Sequence, residues 1–312
     1  MALSTTQINV NRSTSNIILP KPLADEIWGP AQEESVFMRL AQRMEMPGSG
    51  VQVQMIASDA TAAWTTESTE KYVSNATFSN KTIVPFKLTV IEMVSKELIR
   101  DLPRLYSELV RRLPNAIAKK FDETIAYGSS PGTGFDVLTS ATACNIAATT
   151  ASGVTTTVYD YLVNAYTTVG NAGHQVNGWA VAPQAMGTLL GAVDGNGRPL
   201  LIDSANDGGR IGRIFGADVI QSRHVYKAGA AGTSGAADTP NLVGFAGDWT
   251  KAYYGIVDGI NVAISEEATI NDGTNQVNLW QRNMAAVRAE AEVAFAVRDA
   301  NAFVRLTTPY SA

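Results

Sequence analysis

The chain has 312 residues, enough to bury a large core in one elaborate domain or in two. Hydrophobic residues make up 45% of it, which argues against disorder, and charge interrupts every apolar stretch before the ~20 residues of a membrane-spanning helix, which argues against a membrane protein. The net charge of -5 argues against broad, sequence-independent nucleic-acid binding, although it leaves room for a basic patch on one face.

The surface chemistry is unusual for a monomer. Charged residues make up 17% of the chain, against roughly 25% in a typical soluble domain. Since Ala, Thr, Ser, Gly and Asn stand where Lys and Glu are usual, we expect neighbouring molecules to cover much of the surface; a soluble protein with a mildly polar surface is the alternative.

One cysteine and two histidines argue against an internal disulfide and most metal sites. We therefore expect a protein of cytoplasmic origin, without metal or cofactor and without a signal peptide.

The N-terminal third predicts an arm, short helices and a hairpin. Residues 1–20 show no periodicity, and Pro20 and Pro22 forbid a continuous helix there. Apolar spacing then favours short helical segments up to Met44. Alternation from Val51 to Met55 predicts a strand, and a second strand is expected over 82–94. Joined by a long polar tip, the two make an extended hairpin.

The strongest helical pattern follows this hairpin. Six apolar residues recur at helical spacing over about six turns. They are Leu105, Leu109, Leu113, Ile117, Phe121 and Ile125. A short helix is also expected over 95–101, with Asp101 as N-cap of the long one. Pro114 sits inside the long helix, lacks a backbone donor and should bend it.

Beyond Ser152 the pattern changes to alternating helices and strands, which predicts a second compact α/β unit. Helices are expected at 158–169 and 184–193, and strands at 179–182, 217–221, 241–246, 251–257 and 261–265. A turn is expected at 194–197, and the Ala/Gly/Ser/Thr-rich segment 227–238 should be a loop that is mobile or shaped only by its contacts. In the final segment, strict alternation from Val287 to Val297 favours a long strand over a helix, and a last strand is expected at 302–306.

No catalytic constellation emerges from the residues. Gly128-Ser129-Ser130-Pro131-Gly132 matches the nucleophile-elbow pattern of hydrolases, with His174 and His224 downstream as conceivable bases. The elbow needs a strand before the serine and a helix after it, whereas here a long helix precedes it. A helix-terminating turn is the simpler interpretation. Cys144 is expected to be a small buried hydrophobic residue.

The order of elements and a series of short segments resemble the Hong Kong 97-type major capsid proteins of tailed bacteriophages. The segments are Ala63-Trp64 with Glu67, Lys87-Leu88 through Val94 to Asp101, Gly128 to Phe135, Gly178-Trp179 to Pro183, Asp194 to Leu200, Phe215-Gly216-Ala217 with Val219, Gly247-Asp248-Trp249, Arg288 with Glu290, and Ala302-Phe303-Val304. Each match is weak alone, but together they follow one order along nearly the whole chain.

The resemblance implies an α+β, Hong Kong 97-like capsid fold without catalytic, cofactor or metal sites. Its parts are an N-terminal arm at 1–30, an extension loop at 51–82, a spine helix at 102–128, a peripheral domain from 31–50, 83–155 and 277–308, and an axial domain at 156–276. The implied function is a major capsid protein that assembles as hexamers and pentamers into the icosahedral shell of the virion. The implied partners are further copies of the chain, packaged double-stranded DNA contacted non-specifically, a portal and a decoration protein, and no membrane.

The extension loop is expected to contact a neighbouring subunit. The residues predicted to make these contacts are Trp64, Glu67, Lys71, Phe78 and Lys81. Some members of the family also form a Lys–Asn isopeptide between subunits. Lys71 or Lys81, with Asn271, Asn275 or Asn278, are candidates for it, but the trait belongs to a minority of the family. Because the arm begins within thirty residues of Met1, a separately encoded scaffolding protein is also expected.

Three alternatives stay open at this point. A cellular encapsulin shares the fold and encloses enzymes in place of DNA. A serine hydrolase would use Ser130, and covalent labelling by a fluorophosphonate would reveal it. A secreted adhesin has a similar polar composition but would carry a cleaved leader.

The first testable prediction concerns Pro114. Its missing N–H and its ring should bend the spine helix, so that Pro114→Ala keeps the fold while altering shell curvature or assembly yield. Electron cryomicroscopy of the two shells would measure both effects. A straight helix with an uninterrupted hydrogen-bond ladder through this position would contradict the prediction.

Overall fold

The computed structural model describes residues 35–58, 60–97, 103–151, 154–192, 210–233, 237–257, 260–271 and 275–310. The predicted arm at 1–30, the turn at 194–197 and the end of the predicted short helix at 98–101 lie outside the described residues. No described helix is long and apolar enough to cross a membrane.

Helices and strands are mixed along the chain, which makes it an α+β protein. The helices are α1 (Val36–Leu40), α2 (Pro103–Ala126), α3 (Val158–Asn171) and α4 (Pro183–Leu190). The strands are β1 (Gln42–Glu45), β2 (Val51–Ser58), β3 (Thr77–Ile83), β4 (Phe86–Ser95), β5 (Thr142–Asn145), β6 (Thr149–Ala151), β7 (Val154–Thr156), β8 (Gly178–Val181), β9 (Arg210–Ile214), β10 (Ala217–Gln221), β11 (Asn241–Gly247), β12 (Ala252–Ile256), β13 (Asn261–Ser265), β14 (Thr269–Asn271), β15 (Gln276–Asn278), β16 (Met284–Val297) and β17 (Phe303–Thr308).

The long strand β16 organises a five-stranded sheet in the order β1-β12-β16-β13, with β4 also paired to β16. Its period-2 pattern is confirmed, and the two faces of the strand meet different partners. On one face, Val287, Val293 and Phe295 join the main core. On the other, Ala294 and Ala296 pack with Met46 and Ile83 at the base of the hairpin.

Helix α2 covers the sheet through the apolar face that its sequence predicts. Leu113, Ile117, Phe121 and Ile125 are buried, while the side chains of Leu105 and Leu109 lie outside the described part. Pro114 is buried within one continuous helix. The bend at Pro114 stays a prediction.

An aromatic cluster holds helix α2 and the sheet together. The ring of Phe295 lies 6.3 Å from that of Phe121 in an edge-to-face arrangement, and 6.2 Å from that of Phe37 on α1. Phe135, from the turn after α2, contacts both Phe121 and Phe295. Edge-to-face pairs of buried rings add to the stabilisation from area burial.

The second sheet has six strands in the order β5-β17-β11-β8-β10-β9. Helices α3 and α4 pack on it through Leu162, Val169 and Leu189, around the fully buried Trp179. A capping box fixes the start of α3, because Thr157 and Asp160 each accept a hydrogen bond from the other's backbone N–H. The helices and strands predicted for this part of the chain are present, with ends shifted by a few residues.

Strands from the predicted peripheral and axial segments pair within both sheets, and the predicted division into domains stays a prediction. β17 lies in the predicted peripheral segment 277–308, yet it pairs with β11 and β5 in the six-stranded sheet. Conversely, β12 and β13 lie in the predicted axial segment 156–276 and pair with β16. These pairings join strands far apart in sequence, which local patterns do not specify.

Two local predictions are corrected. The strand expected over 82–94 is divided into β3 and β4, because Pro85 has no N–H to continue a ladder. It is β3, beginning at Thr77, that closes the hairpin with β2. Met44, expected in a helix, lies in β1, since α1 ends at Leu40 and the chain then pairs in parallel with β12.

The loop predicted to be mobile or shaped only by its contacts is held at two points in its described part. Lys227 forms an isolated bridge with Leu242, and Ala230 forms one with Thr239. The amide of Gly229 donates to the side chain of Asn241 at 2.8 Å. These contacts anchor both sides of the loop to the start of β11.

A buried carboxylate joins the spine helix to α1. Ser35 Oγ donates to Asp122 Oδ1 at 2.6 Å, and the amide of Val36 donates to Oδ2 at 3.0 Å. His224 Nδ1, from the loop after β10, lies 3.6 Å from Oδ2. Burial raises the pKa of Asp122, while these partners oppose the shift. Asp122 thereby holds the start of helix α1 against the spine helix α2.

Phe295→Ala tests the central role of the aromatic cluster. Removing a fully buried ring should lower the free energy of unfolding by about 3–5 kcal/mol. Urea unfolding of the unassembled chain, followed by circular dichroism, measures the change. The half-exposed Ile91, on neighbouring strand β4, supplies the control Ile91→Ala. A loss below about 1 kcal/mol for Phe295→Ala would show that the cluster does not hold the sheet and helix together.

Candidate subunit-interface surface

The tip of the hairpin exposes large apolar side chains. The side chain of Trp64 is fully exposed, and those of Tyr72, Val73 and Phe78 are also exposed. Large apolar side chains exposed together on one loop make that loop a candidate interaction site. Three of the residues lie on the tip between β2 and β3, and Phe78 lies near the start of β3.

Only short-range polar contacts shape this tip. The amide of Thr61 donates to Ser74 Oγ at 2.7 Å, and Thr69 Oγ1 donates to the carbonyl of Thr66 at 2.8 Å. No strand is assigned to residues 60–76. Since an isolated two-stranded ribbon is marginal in water, the tip lacks the packing that would hold it by itself.

The base of the hairpin, in contrast, is fixed to its own subunit. Ile83 is buried with Met46, Ala294 and Ala296. The chain enters the hairpin through Gly50 at φ +82, where an added Cβ would collide with the carbonyl oxygen of Ile83. The hairpin therefore projects from a well-packed root.

Lys81 belongs to this root. Its Nζ forms an ion pair with Asp136 and donates to the carbonyl of Val297 at 2.6 Å. Asp136 Oδ2 in turn accepts from the amide of Val297 at 2.7 Å. In the subunit structure Lys81 thus holds the hairpin against the end of β16, and its amine is engaged within its own chain.

The other predicted contact residues lie at the tip. Glu67 and Lys71 are exposed on the same tip as Trp64. The tip thus carries charge of both signs together with an exposed indole, a composition found where a polar interface rim surrounds an apolar anchor. Trp64, Glu67 and Lys71 lie on the tip, Phe78 lies in β3 and Lys81 lies at the root, and their contacts with a neighbouring subunit stay a prediction.

Further exposed aromatic side chains in the described part of the chain include Trp280 and Phe215, which were not predicted as contact sites. Trp280 is exposed in the turn before β16. Phe215, at φ 51 in the turn between β9 and β10, is partly exposed, and its ring lies 5.7 Å from that of Tyr159 on α3. The available signals were a Trp followed by the polar Gln281 and Arg282, and a Phe-Gly turn.

The residues of the hydrolase alternative are not assembled into a triad. Ser130 Oγ lies 2.7 Å from the carbonyl oxygen of Gly132 and 2.8 Å from that of Phe135, so it stabilises the turn after α2. His174 Nε2 lies 2.9 Å from Asp299, and His224 faces Asp122. Neither contact brings a histidine to Ser130.

The remaining polar candidates also show no site. Cys144 is buried, and burial raises the pKa of its thiol. Within the described ranges, no group of three or more His, Cys, Asp or Glu side chains could hold a metal ion.

Comparisons with known proteins identify the family of the chain. A model described as "Phage capsid family" matches residues 16–308. The chain is 33% identical over 298 residues to the "Probable major capsid protein gp17" of Mycobacterium phage D29, covering 92% of this chain and 89% of that protein. It is 25% identical over 293 residues to the "Major capsid protein" of Staphylococcus phage 80alpha, covering 91% and 82%.

Solved structures share the fold. The structure titled "Mycobacterium phage Adephagia" matches with a TM-score of 0.70 at 19% identity, covering 89% of this chain and 91% of that chain. The structure titled "Gordonia phage Cozz" matches with a TM-score of 0.68 at 22% identity, covering 89% and 87%. The arrangement of sheets, spine helix and hairpin, the family match and these relatives together show that the chain belongs to the phage capsid family, with the Hong Kong 97-like α+β fold.

Proposed function

We propose that this chain is a major capsid protein that assembles as hexamers and pentamers into an icosahedral shell around phage double-stranded DNA. The names of its relatives support this role, and the common fold supplies the same parts for it. The observation that carries the proposal is the hairpin tip, because a fully exposed tryptophan on a weakly held loop contributes nothing to the stability of its own subunit.

The tip would act by docking on a neighbouring subunit. The indole of Trp64 supplies a large apolar surface with few rotatable bonds, which suits it to anchor an interface. Glu67 and Lys71 would pair with charges at the rim, where they favour the correct orientation more than the affinity. Low overall charge fits the same account, since charged residues are depleted in the buried centre of interfaces.

The root of the hairpin would set the direction in which the tip reaches. The Lys81–Asp136 pair and the cluster around Ile83 tie β3 to the end of β16. A projecting arm with a fixed root loses less conformational entropy on docking than a free one. Each subunit would then present its tip at a defined position to the next.

The remaining partners follow from the role in a shell. The chain would work as a structural protein of the virion, without catalysis, after synthesis in the host cytoplasm. A scaffolding protein, a portal and a decoration protein are the further partners of such a shell. Particles that contain DNA and no cargo enzyme would separate this function from that of an encapsulin.

Trp64→Ala is expected to leave a folded, soluble subunit that fails to build closed shells. Truncating a buried aromatic anchor removes ~2 kcal/mol or more from each contact, and a shell repeats that contact many times. Negative-stain electron microscopy measures shell formation, and circular dichroism measures folding. The control Trp64→Phe keeps an aromatic anchor and should retain most of the shells. If Trp64→Ala unfolds the subunit, or assembles as well as the parent, the tip does not act between subunits.

Lys81→Met is expected to loosen the hairpin root without unfolding the sheet. The substitution keeps a long apolar stem but removes the bonds to Asp136 and to the carbonyl of Val297. Hydrogen exchange at the amides of β2 and β3 should accelerate several-fold, while that of β16 should not change. Lys71→Met, on the exposed tip, is the matched control. Unchanged exchange in β3 would show that the ion pair does not hold the root.

A further inference from the structure

A cavity of about 570 Å³ lies between helix α1, helix α2 and the loop that follows β10. Its cationic side chains come from all three: Arg39 from α1, Lys119 from α2, and Arg223 beside His224 from the loop. The apolar part of the described wall comes from Val36, Ala116, Pro183 and Ile220. No part of this cavity belongs to the hairpin or to its root.

The described lining is basic. It includes no Asp or Glu side chain, in a chain whose acidic residues outnumber its basic ones. Arg39 and Arg223 are exposed, and neither forms an ion pair with a described carboxylate. Lys119 Nζ lies 3.8 Å from Glu123 Oε1, but its side chain is 60% exposed, so the pairing is loose.

Two carboxylates lie near the cavity without lining it. Glu123 is the loose partner of Lys119 on α2. Asp122 is fully buried, and its oxygens already accept hydrogen bonds from Ser35 and Val36. The oxygens of Asp122 are thus engaged within the core, and Glu123 is engaged with Lys119.

Neutral hydrogen-bond donors also line the cavity. Asn115 and Gln221 contribute side-chain amides to the lining. The loop that carries the cations is braced, because the amide of His224 donates to Ser222 Oγ at 3.2 Å. The donors therefore come from two helices, the end of β10 and the turn that follows it, whose backbone this bond braces.

We propose that this cavity binds a phosphate group. Guanidinium groups match the geometry of phosphate oxygens, and a lysine adds a further positive charge. The volume and the open side admit either free inorganic phosphate or one phosphate of a nucleic-acid backbone. The second source rests on the proposed function, in which the shell encloses DNA, whereas binding of phosphate itself does not depend on it.

Bound phosphate would also connect the two sheets. Arg39 and Lys119 belong to helices that pack on the five-stranded sheet, while Arg223 follows a strand of the six-stranded sheet. An anion held between them neutralises like charges that otherwise repel one another. Binding should therefore raise the thermal stability of the subunit.

Isothermal titration of the purified full-length chain with inorganic phosphate tests the site, at constant ionic strength and with acetate as the comparison anion. We expect saturable one-site binding by phosphate and at least tenfold weaker binding after Arg223→Gln or Arg39→Gln. Arg282→Gln, at an exposed arginine outside the cavity, is the matched control and should bind within about twofold of the parent. Circular dichroism checks that each variant is folded.

A fluorescent DNA duplex distinguishes the two sources. If the duplex binds, inorganic phosphate displaces it and Arg223→Gln weakens it, the site takes a backbone phosphate. If phosphate binds at the arginines but the duplex does not compete, the site takes the free ion, and the phosphate site stands even if shell assembly fails. Absence of saturable phosphate binding, equal binding by acetate, or binding unaffected by both arginine substitutions would overturn the proposal.

Discussion

Burial of strand β16 on both of its faces is the constraint on which the rest of the structure depends. Every second side chain from Val287 to Val297 enters the core beneath the spine helix, and Phe295 stands at its centre. The opposite face, at Ala294 and Ala296, receives the root of the hairpin. Small residues are needed there because the hairpin crosses close to the strand. One strand thus positions both the rigid body of the subunit and the arm that leaves it.

The hairpin is the part of the subunit that we expect to contact neighbouring subunits during assembly. Its root is packed and ion-paired, so the ribbon leaves the subunit in a fixed direction. Its tip carries an exposed indole and few internal bonds, so it gains most of its packing only on another surface. Rigidity at one end and unsatisfied apolar surface at the other are what a repeating contact between identical subunits requires.

The sequence predicted those parts of the fold that depend on local periodicity. The long helix and β16 follow from spacing of 3.6 and 2 residues over many turns or pairs. Trp64 was predicted to contact a neighbouring subunit, and in the single subunit its side chain is exposed. Resemblance to a family, rather than periodicity, supplied the overall architecture.

The pairing of strands that are far apart in the chain could not be predicted from local sequence patterns. The parallel pairing of β17 with β5, and of β1 with β12, joins segments whose local patterns carry no information about each other. Pro85 could have indicated that the strand expected over 82–94 is interrupted, but the apolar pattern on either side of it favoured one continuous strand. Lys81 was predicted to contact a neighbouring subunit, and its ion pair with Asp136 could not be predicted because Asp136 is distant in sequence. The cationic cavity could not be predicted from the sequence either, because Arg39, Lys119 and Arg223 are distant in sequence and line one cavity only in the folded chain.

The central claim is that the hairpin tip completes its packing on a neighbouring subunit. Electron cryomicroscopy of particles assembled from this chain, at a resolution that shows side chains, tests it most directly. The account predicts that the indole of Trp64 is buried against an adjacent subunit while Lys81 keeps its contacts within its own. A closed shell in which Trp64 stays exposed to solvent, or packs inside its own subunit, would contradict the account.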